Sequence, residues 1–588
     1  MGEPAAGGAP RGRRLDLRAV PSMMIAWIAA LACGALETSW CLVVAGTLAA
    51  GGGLLLALGY RQRRTAPRAR TVTVTFAVAG VLGAAVAVHC AVAVSKREVG
   101  PLAHVIQAGG GVVMDLLVTD NPREAPSFGH EALSQAESGN AGEGRWMVSA
   151  ALVDVTSSGT VVRGSADIAV LGGEAWRNVH PGDRVRTTGV LKDVREGQSQ
   201  TAVLSASSAP QITGASFDIR GPAGLLRESF LNAARWLPGD AAGLLPGMVI
   251  GDTSGLTESL KTDMKTTGMT HLTAVSGANC SLVLGGFVLM ARCLRLSRPV
   301  AAILASCGLV AFVVMVGPDP SVMRAALMGG VGLASLVGGW RGRSLTFLCL
   351  SATMLLLMDP PMASNVGFLL SVLATLGIVL LAVRIAAWIP PRIPRWLAVG
   401  IAVPLSAQLL CTPVIVALQP QFTPYALLAN IIAGPLVAPV TVLGTIAVPV
   451  SAVVPGLAWP LIAGAGTCAA LVAATARFIA GLPGAALPWA EGFTGVAAMA
   501  VFSGLTLAVV WVLLHPRTVM VHAGDLHGRI TAWLERHTEP RNVGSGRAAR
   551  GGLAASKVQD DEKPNSQAGG DRAAEDCSRS LSRPGEPP

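Results

Sequence analysis

The chain has 588 residues, 51% of them hydrophobic and 14% charged, with a net charge of +10 and a mean hydropathy of +0.54. These values exclude a soluble globular enzyme and a disordered chain, and they describe a polytopic membrane protein. The positive balance does not by itself imply nucleic acid, because much of it lies in short loops between apolar runs, where membrane topology accounts for it.

From the N-terminus, apolar runs lie at 21–37, 40–59 and 71–95. The basic "RGRRLDLR" ahead of the first run resembles the n-region of a signal peptide. Two further apolar runs follow closely, so the first reads as a retained span. The loop "RQRRTAPRAR" (61–70) and the N-terminal segment are both strongly basic, and both fall in the cytoplasm by the positive-inside rule. The third span then leaves residues 96 to about 267 outside the cell.

That outer segment changes character. "GGGVVMDLLV", "RWMVSAALVDV", "GTVVRGSADIAVLGG", "DRVRTTGVLKDV" and "QTAVLSAS" are short, β-branched and bounded by turn residues. About five strands of this kind suit an OB-type barrel, with another small β-domain as the alternative. The Gly/Glu/Ser-rich insert 121–144 reads as a loop. Residues 96–220 carry 11 basic and 14 acidic side chains, which gives no attraction for DNA. Trp146 and Trp176 are open to base stacking or to core packing.

Apolar runs resume at 269–291, 299–317, 321–339, 344–358, 364–383, 397–418, 425–450, 455–480 and 494–514. Basic loops follow every second run, in phase with an external β-domain. The predicted fold is a polytopic α-helical membrane protein of about 11–12 spans with an inserted small all-β OB-like external domain. Its expected parts are N-terminal spans (1–95), the OB-like domain (96–220), a helical channel domain (221–515) and a mostly disordered cytoplasmic tail (516–588). The Pro/Gly-rich run 425–450 is expected to be a broken helix.

Polar residues inside this apolar half are costly and mark candidate functional positions. In "GDTSGLTESLKTDMKTTG" (251–268), Leu256, Leu260 and Met264 form an apolar stripe, which predicts a surface-lying amphipathic helix ending at Gly268. Asp252 is placed to cap it. In "HLTAVSGANC" (271–280), Ser276 and Asn279 share a helical face and His271 lies near the membrane boundary. Ser276-Gly277 suits close helix packing or a helix break. No GxSxG elbow surrounds Ser276, so a serine hydrolase is a poor fit. Arg324, in "GPDPSVMRAALMGG", opposes the dipole at the start of its span. Snorkelling, pairing with Asp319 and an anionic substrate all remain open for it. Ser371 and Thr375 follow Asp359 and Asn365 in one run. Asn430 sits mid-run before Gly434-Pro435 and Pro439, and Gln408 lies between Pro404 and Pro413. Several such residues on different spans suggest a polar path.

Nine of the ten cysteines lie in or beside apolar runs, and no CxxC, HExxH or Walker motif is present, so no disulfide framework, metal, cofactor or ATPase site is expected. The same features suit a small-solute or lipid-linked transporter, and a membrane enzyme centred on His271 and Ser276 is a further alternative.

Taken in order, Gly251-Asp252, His271 to Gly277, Arg324-Ala325, Phe368 to Ser371, and Asn430 with Pro435 resemble the ComEC family of competence membrane proteins. The resemblance covers roughly residues 230–515, and the N-terminal spans and OB-like segment suit the same layout. It implies a bacterial plasma-membrane channel, not an enzyme, for uptake of single-stranded DNA in natural transformation. A non-transporting, degenerate member is the alternative. It also implies membrane lipid as surroundings, and a DNA receptor, a nuclease and a helicase or motor protein in trans. Asp252, His271, Ser276, Gly277, Asn279, Arg324, Ser371, Asn430 and Pro435 are the residues it marks for the DNA path or the channel frame. Asn279 and Leu369 depart from the family pattern, which often has His and Gln there. Many members carry a C-terminal metallo-β-lactamase-like domain. The residues after the last span are too few for it and "VHAGDLHGRI" is not HxHxDH, so no nuclease activity is expected.

Overall fold

A computed structural model describes residues 16–63, 66–98, 110–119, 122–124, 145–157, 160–163, 166–179, 182–192, 202–215, 221–273, 275, 277–317, 320–337 and 344–515, with 520, 525, 527–531 and 533 beyond them. Ser276, Asp319, most of the 121–144 insert and the tail from 541 lie outside the described residues. The chain divides into two units, Met1–Pro516 and Arg517–Pro588; in the second, residues 527–531 are helical.

Three helices open the first unit: α1 (Val20–Gly34), α2 (Thr38–Arg61) and α3 (Pro67–Glu98). α2 and α3 approach closely through glycine. A Cβ at Gly80 would lie 3.1 Å from the Leu48 carbonyl oxygen, and one at Gly52 would lie 3.0 Å from that of Ala77. Small residues at such crossings give membrane helices their packing contact.

The β-segment follows as β1 (Gly111–Val118), β2 (Arg123–Glu124), β3 (Trp146–Ser157), β4 (Thr160–Arg163), β5 (Asp167–Gly172), β6 (Asp183–Lys192), β7 (Ala202–Ala206) and β8 (Gln211–Ala215). Pairing runs β1-β3-β5-β7-β6, and β6 closes on β1. Every barrel pairing is antiparallel except β5–β7. The five principal strands thus form a closed OB-type barrel, as expected. Alternating burial along β1 and β6 sends Met114, Leu116, Val185 and Leu191 inward. Gly189 is required where β6 crosses β7, since a Cβ there would meet the Ser205 carbonyl oxygen at 2.3 Å. Trp176 is a core residue, only 1% exposed. Trp146 is held at the surface by the Glu174 carboxylate, which accepts from its Nε1 at 3.0 Å, and by Arg177 over its ring.

Among the described residues of the first unit, twelve α-helices follow: α4 (Gly221–Ala234), α5 (Asp240–Ile250), α6 (Glu258–Thr266), α7 (Gly277–Cys293), α8 (Arg298–Val316), α9 (Pro320–Val337), α10 (Ser344–Met358), α11 (Val366–Trp388), α12 (Arg395–Leu418), α13 (Ala426–Val453), α14 (Pro455–Ala480) and α15 (Gly492–Leu514). Among the described residues, eight helices are long and apolar enough to cross a membrane, and shorter apolar helices occupy the other predicted runs. α5 was not expected. It is almost wholly buried, yet eleven residues reach only about 16 Å, too short for a bilayer span.

Three expectations are corrected. The run 425–450 is not broken: α13 is continuous through Pro435, Pro439 and Pro449. Asn430 Nδ2 donates to the Ala426 carbonyl at 2.8 Å and Thr441 Oγ1 to the Val437 carbonyl at 2.9 Å, neither of which is a carbonyl that a proline leaves without its donor. The irregularity lies instead in α11, as a π-helical turn at Ile378–Ala382, just after Gly377 abuts the Ser406 carbonyl of α12. The run 269–291 starts its helix only at Gly277, with Thr270–Leu272 forming a 3₁₀ turn. Finally, the apolar stripe of α6 packs on protein rather than on a membrane surface. Leu260 and Met264 are buried in the bundle core, and Thr257, not Asp252, caps the helix by accepting from the Leu260 N–H at 3.3 Å.

The bundle has two large cores. One joins α4, α5, α7, α8, α13 and α14; the other joins α1–α3 to α10 and α11. α9 bridges them, with Val322 in the first and Leu327 and Met328 packed on the second. An ion-pair cluster ties α5, α6 and α14: Arg477 donates from Nη2 to Asp240 Oδ1 at 2.8 Å and from Nη1 to Ser259 Oγ at 3.1 Å, and pairs with Asp263 at 3.4 Å. The hydrogen bond to Arg477 holds the Asp240 carboxyl below its ordinary 3.8. A depressed carboxylate pKa stabilises the fold above the unfolded value and loses that stabilisation as pH falls through the folded value. Thermal stability in detergent is therefore expected to drop as pH falls below about 4, and Arg477→Ala to flatten that acid limb.

Candidate functional site

The predicted site residues fall on segments that touch one another. α5 ends at Ile250, and Gly251 takes the left-handed conformation at φ 77° that such an end favours. Asp252 then makes a tight turn, its Oδ1 accepting from the Ser254 N–H at 2.9 Å and the Ser254 hydroxyl at 2.6 Å. The next segment packs back on α5, since a Cβ at Gly247 would lie 2.4 Å from the Thr273 carbonyl oxygen. Gly268, at φ 68°, fits against Ala426 at the start of α13. Gly277, the first residue of α7, faces Ala325 of α9, and Gly367 of α11 faces the Arg324 guanidinium.

A buried helix end must find partners for its last carbonyls. Two side chains supply them here. Asn279 Nδ2 donates to the Met248 carbonyl at 2.9 Å, and Asn279 Oδ1 accepts from Thr441 Oγ1 of α13 at 3.1 Å. One amide thus links α5, α7 and α13, and both Asn279 and Thr441 are buried. Arg227 of α4 donates from Nη2 to the Ile250 carbonyl at 3.0 Å and also to the Val316 carbonyl at the end of α8.

His271 sits in the 3₁₀ turn, open to water on one side and crowded by protein on the others. That crowding lowers its pKa below 6.5, against a hydrogen bond to the Gly268 backbone that acts the other way. Arg324, 7% exposed, does not snorkel. Its guanidinium carbon lies 6.0 Å from the centre of the Phe368 ring. Asn365 caps α11 beneath it, accepting from the Phe368 N–H at 3.0 Å.

Other predicted residues do not join these knots. Ser371 is half-buried within α11, and Asn430 bonds within its own helix. Pro435 and Gly434 face outward. An open cleft of about 290 Å³ lies between α13 and α14 and is apolar, bounded by residues such as Leu428, Ile432, Leu471 and Phe478. Arg227 and Thr441 escaped sequence reading. Each is one polar residue in an apolar context, and its partners are distant in the chain.

The architecture defines a multi-pass helical membrane protein that carries an OB-type barrel and bundle-buried polar ties. Residues 248–515 match the family model described as Competence protein. Over 153 residues the chain is 37% identical to ComE operon protein 3 of Bacillus subtilis (strain 168), a stretch that covers 26% of this chain and 19% of that relative. The aligned part is therefore about a fifth of the relative's length. No solved structure matches the chain. Over its helical bundle the chain is similar to competence membrane proteins.

Proposed function

We propose that the chain carries single-stranded DNA across the plasma membrane during natural transformation. The DNA enters from outside past the barrel and crosses the helical bundle. The observation that supports this is the competence-family match, which falls on the bundle itself. The mutual contacts of the segments around Gly251, His271, Arg324 and Phe368 fit such a role.

Arg324 is the residue to meet phosphate. It is the fifth residue of α9, and its guanidinium lies beside Gly367 and Phe368 in the first turn of α11. A cation near the start of two helices suits contact with a DNA phosphate. His271 borders the outer entrance in its neutral form. Asn279, Gly277 and Asp252 hold the frame, and Ser276, Ser371, Asn430 and Pro435 belong to its walls. The N-terminus and tail lie in the cytoplasm, and the barrel lies outside. A DNA receptor, a nuclease for the second strand and a motor protein act in trans.

The test is entry of end-labelled DNA into the DNase-resistant cytoplasmic fraction of a deletion strain. Loss of entry, restored by the full chain, is expected. Normal entry without the protein would sink the proposal.

A further inference from the structure

The seat of Arg324 is built partly by a residue far outside the competence-family match. Trp27, on α1, stacks on Phe368 with ring centroids 4.7 Å apart and planes within 11°. Its indole Nε1 donates to the Ala363 carbonyl at 3.2 Å, two residues before Asn365 caps α11. Phe368 is fully buried, and Arg324 rests over the same ring. The guanidinium lies against this ring and beside Gly367 in the same turn, so a shift of the first turn of α11 changes its surroundings. Here the ring is held by Trp27 from one chain segment and by the capped first turn of α11 from another. A cap residue fixes the direction of a helix's first turn, and Trp27 anchors the backbone that leads into that cap.

We infer that Trp27 is a positioning residue for Arg324: through the Phe368 ring and the Ala363 carbonyl it fixes the first turn of α11 and with it the site of the guanidinium. This rests on the reading of Arg324 as the phosphate contact. It also gives the N-terminal helices a part in transport, because α1 belongs to the second core while Val322, two residues from Arg324, belongs to the first.

The test uses the full chain in its own membrane, with Trp27→Ala, Trp27→Phe, Arg324→Ala and the Trp27/Arg324 double variant. Membrane abundance is measured by immunoblot, uptake with labelled DNA, and hydrogen exchange of residues 363–370 on purified protein. W27A is expected to reach the membrane at normal level, to lose about tenfold in uptake, and to exchange faster at residues 366–369. W27F keeps a ring and loses the N–H donor, so it should fall between wild type and W27A. Adding W27A to R324A should cost nothing further, since the positioned group is already gone. Normal uptake in W27A and W27F while R324A is impaired would overturn the proposal alone, as would losses that simply multiply in the double variant. Normal uptake in R324A would overturn the reading of Arg324 and this proposal with it. If W27A does not accumulate, W27F carries the test, and unchanged uptake and exchange in it would overturn the proposal.

Discussion

Arg227→Ala is expected to lower the stability of the bundle more than any other single polar-to-alanine change in it. The guanidinium closes the ends of α5 and α8 at once, through the carbonyls of Ile250 and Val316, which are 0% and 4% exposed. Removing it leaves two buried acceptors beyond the reach of bulk water. Each such group costs about 1–3 kcal/mol, and bonds to a charged donor lie at the upper end, so a loss of about 2–6 kcal/mol is expected. A typical side-chain hydrogen bond between membrane helices contributes about 0.6 kcal/mol, so the charged, double cap dominates. Both bonds leave one nitrogen, Nη2, so Arg227→Lys, whose ammonium carries three donors, should recover part of this. The measurement is the thermal midpoint of the detergent-solubilised protein. An unchanged midpoint in Arg227→Ala would show that the two ends are satisfied without it.

Much of the fold was legible because its signals are local. Span-length apolar runs announced the helices, and two-residue alternation in "DRVRTTGVLKDV" announced β6. What stayed hidden depends on pairing at a distance. α5 is apolar but short, and its Pro246 and flanking glycines read as a connection; only burial on every side reveals a core helix. α13 reads as broken because proline removes a donor, yet the helix runs on through Pro435, Pro439 and Pro449. The α6 stripe was placed correctly by periodicity, but periodicity cannot say whether lipid or protein covers it.

The site divides in the same way. Asn279 was singled out as a polar group in an apolar run, and it is polar because a helix end needs capping. Its amide fits that role, since it both donates to Met248 and accepts from Thr441. Arg324 was legible as an anomaly in charge, whereas Trp27 gave no signal: a tryptophan in an apolar helix is ordinary until Phe368 is brought beneath it.

The Asn279 amide leads to the second large effect, in which Asn279→Leu is expected to loosen the joint between α5, α7 and α13 without collapsing the bundle. Leucine fills the volume but leaves the Met248 carbonyl unsatisfied and takes one of two acceptors from Thr441, whose single hydroxyl hydrogen then goes to Val437. The net cost should therefore be that of one orphaned carbonyl, about 1–3 kcal/mol, with little added by the hydroxyl. Thr441→Val alone should cost below about 1 kcal/mol, and adding it to Asn279→Leu should cost almost nothing more. Asn279→His tests the family's residue directly, because an imidazole that donates to Met248 restores the more expensive half of the pair. Thermal midpoints of the four variants decide it. If Asn279→Leu and Thr441→Val prove additive, the amide and the hydroxyl are not one unit, and the joint between these helices rests on the packing of Gly444 against Val249 instead.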